Sequence, residues 1–73
     1  MRILIAEDDA TLADGLTRSL RQAGYAVDRA ADGAAADAAL AAQTAQTYDL
    51  LILDVGLPRM SGLEVLKRLR SRG

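Results

Sequence analysis

Short apolar runs and helical patterns alternate along the chain, with turn-forming residues between them. The first run, residues 2–6, is nearly continuous and rich in β-branched side chains, which predicts a strand buried on both faces. Leu12, Leu16 and Leu20 then recur every four residues before Gly24, a spacing typical of an amphipathic helix that ends at a glycine. The beginning of the chain therefore predicts a strand followed by a helix.

The same alternation continues through the middle of the chain. Residues 25–30 predict a second, weaker strand. The alanine-rich residues 34 to about 45 predict a second helix, because alanine has the highest helix propensity. Four consecutive apolar residues between Asp49 and Asp54 predict a third strand, again buried on both faces.

A third helix is predicted after an extended loop that contains Pro58. Ser61 and Glu64 match the capping-box pattern, so Ser61 is the expected N-cap and Gly62 the first helical residue. A buried stripe is expected along this helix, formed by Leu63, Leu66 and Leu69.

The predicted order β-α-β-α-β-α indicates an α/β fold. Such an order favours a parallel sheet with right-handed crossovers and helices on both faces, a doubly wound arrangement. The 73 residues show no linker, so we expect a single domain over residues 1–73 and no second domain. The core should be thin and aliphatic, because the chain has no Phe and no Trp.

Composition removes several classes of function. Without Cys or His, the chain has no disulfides, no thiolate or imidazole metal ligands, and no nucleophile paired with histidine. No apolar run approaches the roughly 20 residues of a membrane span, and no signal peptide is recognisable, so we expect a cytoplasmic chain that binds no membrane. Carboxylate chemistry is what remains.

The last fifteen residues are basic, with five cations against Glu64. They are interpreted as the C-terminal end of a helix, where positive charge complements the helix dipole. No aromatic residues are interleaved with them for base stacking, so we expect this chain to bind no nucleic acid.

Acidic residues follow two of the predicted strands directly. The first strand ends in Glu7, Asp8 and Asp9, and the third ends in Asp54. If these strands are neighbours in a parallel sheet, the carboxylates converge at one edge, where ligands of α/β folds bind. Their mutual repulsion favours a cation, and an all-oxygen ligand set suits Mg²⁺, with Mn²⁺ as the alternative.

Within this acidic group, individual roles differ. Asp9 is interpreted as the N-cap of the first helix. Asp54, placed immediately after four buried residues, has two roles open to it: a metal ligand only, or a ligand that also attacks phosphorus to form an acyl phosphate. Spacing alone does not decide between them.

Three segments together resemble the receiver domain of two-component response regulators, most closely the branch that carries a winged-helix DNA-binding domain. They are residues 2–9, the pair Asp32 and Gly33, and residues 48–58 followed by Ser61 and Gly62. The resemblance covers essentially the whole chain. It implies a partial flavodoxin-like sheet with strand order 2-1-3.

The resemblance also implies residue roles. Asp54 would be the phosphoacceptor, taking a phosphoryl group from a histidine kinase in a Mg²⁺-dependent reaction, so the chain would be no enzyme in its own right. The metal would be bound directly by Asp8 and Asp54, through water by Glu7, and by the backbone carbonyl of Gly56. Pro58 and Gly62 would shape the loop beside the site.

Three departures from the family pattern are visible. Receiver domains have about five strands, whereas this chain is expected to stop after its third helix, so residues 1–73 would be the N-terminal part of a single receiver domain. The family's phosphate-binding hydroxyl and lysine would be missing. So would any DNA-binding domain. Residues 42–44 and 45–47 repeat Ala-Gln-Thr, which we interpret as a duplication. The third strand would then be an open sheet edge, so we expect a homodimer or larger oligomer through that edge.

The sequence also admits two other functions. The chain could be a self-associating fragment without signalling activity. A phosphatase of the haloacid dehalogenase type is disfavoured, because that chemistry needs an Asp two residues after the nucleophile, where Gly56 stands.

Overall fold

The computed structural model describes residues 1–42 and 48–72. Their helices and strands alternate in the predicted order: β1 (Arg2–Ala6), α1 (Ala10–Gln22), β2 (Ala26–Ala30), α2 (Gly33–Ala41), β3 (Leu50–Leu53) and α3 (Gly62–Ser71). The strands form one parallel sheet in the order β2-β1-β3. The predicted fold class and strand order are confirmed.

The register of the sheet brings the carboxyl ends of all three strands to one edge. Ala6, the last residue of β1, is paired with Ala30 on one side and with Leu53 on the other. The residues that follow β1 and β3, Glu7 and Asp54, therefore leave the sheet side by side. This edge is where the acidic residues meet.

The core lies on both faces of the sheet, because successive residues of β1 point to opposite faces. Ile3, Ile5 and Val27 pack on one face against Leu16 and Leu20 of α1. The other face packs against α2 and α3, and its buried residues are Leu4, Ala6, Ala30, Ala36, Leu40, Leu57 and Val65. The doubly wound arrangement follows from this division.

Two predicted stripe residues are exposed, which corrects the sequence interpretation of α1 and α3. Leu12 is 51% exposed and Leu63 is 57% exposed, whereas Ala13 and Val65 are fully buried. Around a helix of 3.6 residues per turn, a spacing of four residues drifts by about 40° per step in α1, and a spacing of three drifts by about 60° in the opposite sense in α3. Neither leucine stripe can therefore face the sheet along its whole length. Close helix packing selects the small Ala13 and the β-branched Val65 instead.

The third strand is less buried than its sequence predicts. Leu50 is 44% exposed, and the other residues of β3 are only partly buried. The reason is that β3 is an edge strand in the described sheet.

The described α2 ends at Ala41, four residues before the predicted end. The Ala-Gln-Thr duplication lies mainly in residues 43–47, outside the described residues.

A polar cluster closes the opposite end of the sheet. The Asp28 carboxylate accepts hydrogen bonds from Arg2 Nη2 at 2.7 Å and from the Tyr48 hydroxyl at 2.6 Å. The Arg2 guanidinium also lies 5.4 Å from the centre of the Tyr48 ring. This cluster joins β1, β2 and the segment that leads into β3.

None of the helices in the described residues is long and apolar enough to cross a membrane.

Candidate phosphoacceptor and metal site

Three carboxylates converge at the carboxyl edge of the sheet. One oxygen from each of Glu7, Asp8 and Asp54 lies within 4.8 Å of the others, and among the described residues this is the one group suited to hold a metal ion. Glu7 and Asp54 are partly buried, and Asp8 is exposed. The convergence follows directly from the pairing of β1 with β3.

Backbone hydrogen bonds hold the two acidic segments beside each other. The Asp54 N–H donates to the Ala6 carbonyl at 3.0 Å, which extends the β1–β3 ladder by one residue. On the other side, the Glu7 N–H donates to the Ala30 carbonyl at 3.1 Å. The sheet therefore fixes the backbone of Glu7 and Asp54, the first acidic residues after β1 and β3.

Asp9 lies outside this group of three and is the N-cap of α1. Its Oδ1 accepts hydrogen bonds from the N–H groups of Thr11 at 3.0 Å and Leu12 at 3.2 Å, the geometry of an N-cap. The Asp9 N–H in turn donates to Glu7 Oε1 at 3.3 Å. Asp9 thus orients the loop while Glu7 and Asp8 remain near Asp54.

The electrostatic cost of the cluster is visible at Glu7. Loss of hydration raises the pKa of the Glu7 carboxyl above its ordinary value, and the negative charges of Asp54 and Asp8 act in the same direction. The hydrogen bond from the Asp9 N–H opposes this rise in the pKa. A bound cation would relieve the repulsion among the three carboxylates.

The loop after Asp54 orients its carboxylate. Asp54 Oδ1 accepts a hydrogen bond from the Gly56 N–H at 3.0 Å. The Gly62 N–H donates to the Val55 carbonyl at 3.1 Å, which brings the start of α3 directly against the Asp54–Val55 segment. A side chain at Gly62 would not fit, because a Cβ there would lie 2.4 Å from the Asp54 carbonyl oxygen.

Pro58 fixes the middle of the same loop. Its carbonyl accepts hydrogen bonds from the Met60 N–H at 2.8 Å and the Gly33 N–H at 3.1 Å. The first of these closes a γ-turn whose central residue, Arg59, has a φ of 70°. Gly33 is needed at the second contact, since a Cβ there would lie 1.7 Å from the Met60 carbonyl oxygen. The loop is therefore tied to the start of α2.

Ser61 begins α3, because its hydroxyl accepts a hydrogen bond from the Glu64 N–H at 3.2 Å. The Glu64 carboxylate lies 3.5 Å from Arg68 Nε, one turn further along the helix. At the other end of α3, Arg68 and Arg72 both contact Asp37 of α2. The basic end of the chain thus packs α3 onto α2.

Sequence reasoning missed one residue at this edge, Arg29. Its guanidinium donates to the backbone carbonyls of Glu7 and Asp8 from the end of β2. An arginine one residue before the end of β2, the strand beside β1, was the available signal. It carries weight only once the strand order 2-1-3 is known.

The donor set fits a hard divalent cation. Three carboxylates supply oxygen ligands only, at strand ends whose positions the sheet fixes, and loss of hydration together with their mutual repulsion raises the pKa of Glu7. A cation held by these oxygens would lie beside the Asp54 carboxylate.

Comparison with known proteins identifies the family. A model described as the response regulator receiver domain matches residues 3–73. The response regulator protein PmrA of Pseudomonas aeruginosa is 51% identical over 73 residues, which are all of this chain and 32% of PmrA. The transcriptional regulatory protein TctD of Salmonella typhimurium is 49% identical over the same length, 31% of TctD. The chain spans about a third of these relatives.

Solved structures give the same result. Thermotoga maritima TrrA in complex with Mg²⁺ and BeF matches with a TM-score of 0.81 at 37% identity, over 97% of this chain and 59% of that one. The PA1611 receiver domain of Pseudomonas aeruginosa, with magnesium in its active site cleft, gives 0.87 at 30% identity over 96% and 55%.

A chain from the complex of histidine kinase ThkA with TrrA gives a TM-score of 0.79 at 36% identity, over 99% of this chain and 60% of that one. Sequence, sheet topology and the acidic edge therefore agree, and the chain belongs to the response regulator receiver domain family.

Proposed function

We propose that Asp54 accepts a phosphoryl group from the phosphohistidine of a histidine kinase. The observation that carries this proposal is the convergence of Asp54 with Glu7 and Asp8 within 4.8 Å at the carboxyl edge of the sheet. A related regulator, TrrA, has been solved both with Mg²⁺ and BeF and with a histidine kinase. We propose the same partner class for this chain.

The reaction needs little from the protein beyond position and charge. A carboxylate oxygen of Asp54 attacks phosphorus, the bond from phosphorus to the histidine nitrogen breaks, and the imidazole keeps that electron pair. The hydrogen bond from the Gly56 N–H to Asp54 Oδ1 orients the carboxylate for this attack. The chain acts here as an acceptor and not as an enzyme that turns over a substrate.

Three of the four residues proposed to hold Mg²⁺ are those of the acidic cluster, and Gly56 is the fourth. Asp8 and Asp54 would bind it directly, Glu7 through water, and the Gly56 carbonyl would complete the protein ligands, with Mn²⁺ as a substitute ion. When bound, the cation neutralises the carboxylates and the oxygens of the incoming phosphoryl group. Pro58 and Gly62 support this site by fixing the loop.

The relatives suggest the pathway in which this acceptor works. TctD is a transcriptional regulatory protein, and the chain covers 31% of its length. We propose that phosphorylation of Asp54 controls transcription through a longer regulator of this kind in the cytoplasm.

A Mg²⁺ titration of the melting temperature tests the proposed site. A ligand that binds only the folded state stabilises it by RT ln(1 + [L]/Kd), which is about 2.7 kcal/mol at 100 times Kd. We expect Mg²⁺ to raise the melting temperature of the wild type and to have no effect on Asp8→Asn or Asp54→Asn.

Asp14→Asn is the matched control, because Asp14 is an exposed acid of α1 that pairs with Arg18 outside the cluster. It should respond to Mg²⁺ as the wild type does. Equal Mg²⁺ responses in Asp54→Asn and the wild type would refute the proposed site.

Self-association is a second candidate property, supported by the exposure of β3. This strand lies at the edge of the described sheet, and Leu50 is 44% exposed there. An apolar edge strand offers unpaired backbone groups to another chain. We propose that the 73-residue chain pairs with a second copy through β3.

A further inference from the structure

Arg29 contacts the backbone of two of the three acidic residues. Its Nε and Nη2 lie 3.1 and 2.9 Å from the Glu7 carbonyl oxygen, and Nη2 lies 3.3 Å from the Asp8 carbonyl oxygen. The guanidinium therefore bridges two successive carbonyls, those of the Glu7–Asp8 and Asp8–Asp9 peptide groups. Hydrogen bonds from a cationic donor are stronger than neutral ones, and the planar fork fixes direction as well as distance.

The position of Arg29 explains this reach. In the parallel register Arg29 is paired with Ile5, two residues before Glu7. It shares a sheet face with Val27, which packs on the face covered by α1. The side chain thus extends along the end of β1, where the chain leaves the sheet to begin α1.

The bonds of Arg29 go to carbonyls and not to carboxylates. Within residues 1–42 and 48–72, no ion pair joins Arg29 to an acidic side chain. A cation bound by Glu7 and Asp8 therefore has no arginine to displace. The guanidinium constrains the loop and leaves its acidic side chains available.

We propose that Arg29 is a positioning residue for the metal site: its guanidinium holds the backbone carbonyls of Glu7 and Asp8 so that both side chains face Asp54 before a cation binds. This inference rests on the magnesium site proposed above. Groups that orient metal ligands from outside the ligand set typically change metal affinity by about 10- to 100-fold when they are removed.

Charge and positioning predict opposite effects of removing Arg29. Loss of a cation beside the site would by itself tighten Mg²⁺ binding, because like charges repel. Loss of the three hydrogen bonds would weaken binding, because the loop would no longer be held in place. The sign of the change in affinity therefore separates the two.

The test compares Mg²⁺ dissociation constants from NMR titrations of the wild type and Arg29→Met, which keeps most of the side chain's apolar stem. We expect binding weaker by roughly ten-fold and, in the metal-free protein, displaced amide signals of Asp8 and Asp9. Arg29→Lys keeps the charge without the fork, so its affinity should lie between the two.

Arg21→Met is the matched control. Arg21 Nη2 donates to the Val27 carbonyl at 3.0 Å, so this variant also removes one charge and a guanidinium bond to β2, away from the acidic edge. Its Mg²⁺ affinity should equal that of the wild type.

Binding by Arg29→Met as tight as in the wild type, or tighter, would overturn the inference. Were that variant unfolded, Arg29→Lys would decide alone: weaker binding supports the inference, and unchanged binding overturns it. Asp54→Asn separates the two proposals. If Asp54→Asn loses Mg²⁺ binding while both Arg29 variants keep it, only the role of Arg29 fails; if Asp54→Asn binds normally, the metal site fails.

Discussion

Gly62→Ala should destabilise the chain because α3 begins against the backbone of Asp54 and Val55. A Cβ at Gly62 would lie 2.4 Å from the Asp54 carbonyl oxygen and 2.9 Å from the Val55 Cα. Both are backbone atoms of a loop that is held by the sheet on one side and by α3 on the other. Neither can rotate away as a flexible side chain could.

The magnitude follows from two opposing effects. Inserting a methyl group into a packed site costs about 1 to 3 kcal/mol. Alanine regains up to about 1 kcal/mol through its higher helix propensity. Because both close contacts are with backbone atoms, the steric cost should lie near the top of its range. The net expectation is a loss of about 2 kcal/mol, which lowers the melting temperature of a domain this small by roughly 8 to 16 °C.

Gly15→Ala is the control, measured by thermal unfolding followed with far-ultraviolet circular dichroism. Gly15 lies inside α1 with nothing within 4 Å of a Cβ, so alanine should stabilise the chain by about 0.5 to 1 kcal/mol. The two glycine variants should thus shift the melting temperature in opposite directions. A Gly62→Ala protein that melts at or above the wild type would refute the packing argument.

Two further predictions concern the other end of the sheet and its edge. Hydrogen bonds from the Tyr48 hydroxyl and, to a lesser extent, from Arg2 lower the pKa of the Asp28 carboxyl. The charged carboxylate therefore stabilises the folded state above its ordinary pKa of about 4, and this stabilisation is lost as the pH falls through the lowered value. Because the Asp28 side chain is 43% exposed, we expect Tyr48→Phe to cost only about 0.5 to 1 kcal/mol near pH 7, a difference that chemical denaturation should show shrinking below about pH 4. At the edge, Leu50→Lys should reduce the mass in sedimentation equilibrium, whereas Leu63→Lys, on an exposed position of α3, should not; a folded wild-type monomer at high concentration would contradict pairing through β3.

The order of the elements and the acidic edge could be predicted because both follow from local pattern. Residues 2–6 and the run before Asp54 are apolar enough to be buried strands, and parallel strands place their carboxyl ends together. The convergence of Glu7, Asp8 and Asp54 needed only the further step that β1 and β3 are neighbours.

Which side of each helix packs against the sheet was harder to predict. Spacing identified α1 and α3, but it did not reveal which side chains touch the sheet. Leu12 and Leu63 are exposed, and Val65 instead reaches the core. Helix orientation is set by how closely each helix approaches the sheet, which depends on the size of residues such as Ala13.

Contacts between distant segments could not be predicted from the sequence. The bond from the Gly33 N–H to the Pro58 carbonyl joins α2 to the loop before α3, and Arg29 reaches the loop after β1. Neither contact leaves a periodic signal in the chain. Both depend on the register of the sheet and on the path of a loop.

Intact-mass analysis after incubation with acetyl phosphate tests the central claim most directly. The wild type should gain the mass of one phosphoryl group in the presence of Mg²⁺ and gain none when Mg²⁺ is chelated, because the carboxylate cluster of Glu7, Asp8 and Asp54 needs a cation to approach another anion. Asp54→Asn should gain none in either case, while Asp14→Asn should behave as the wild type does. Labelling of Asp54→Asn to the same extent as the wild type would contradict the account.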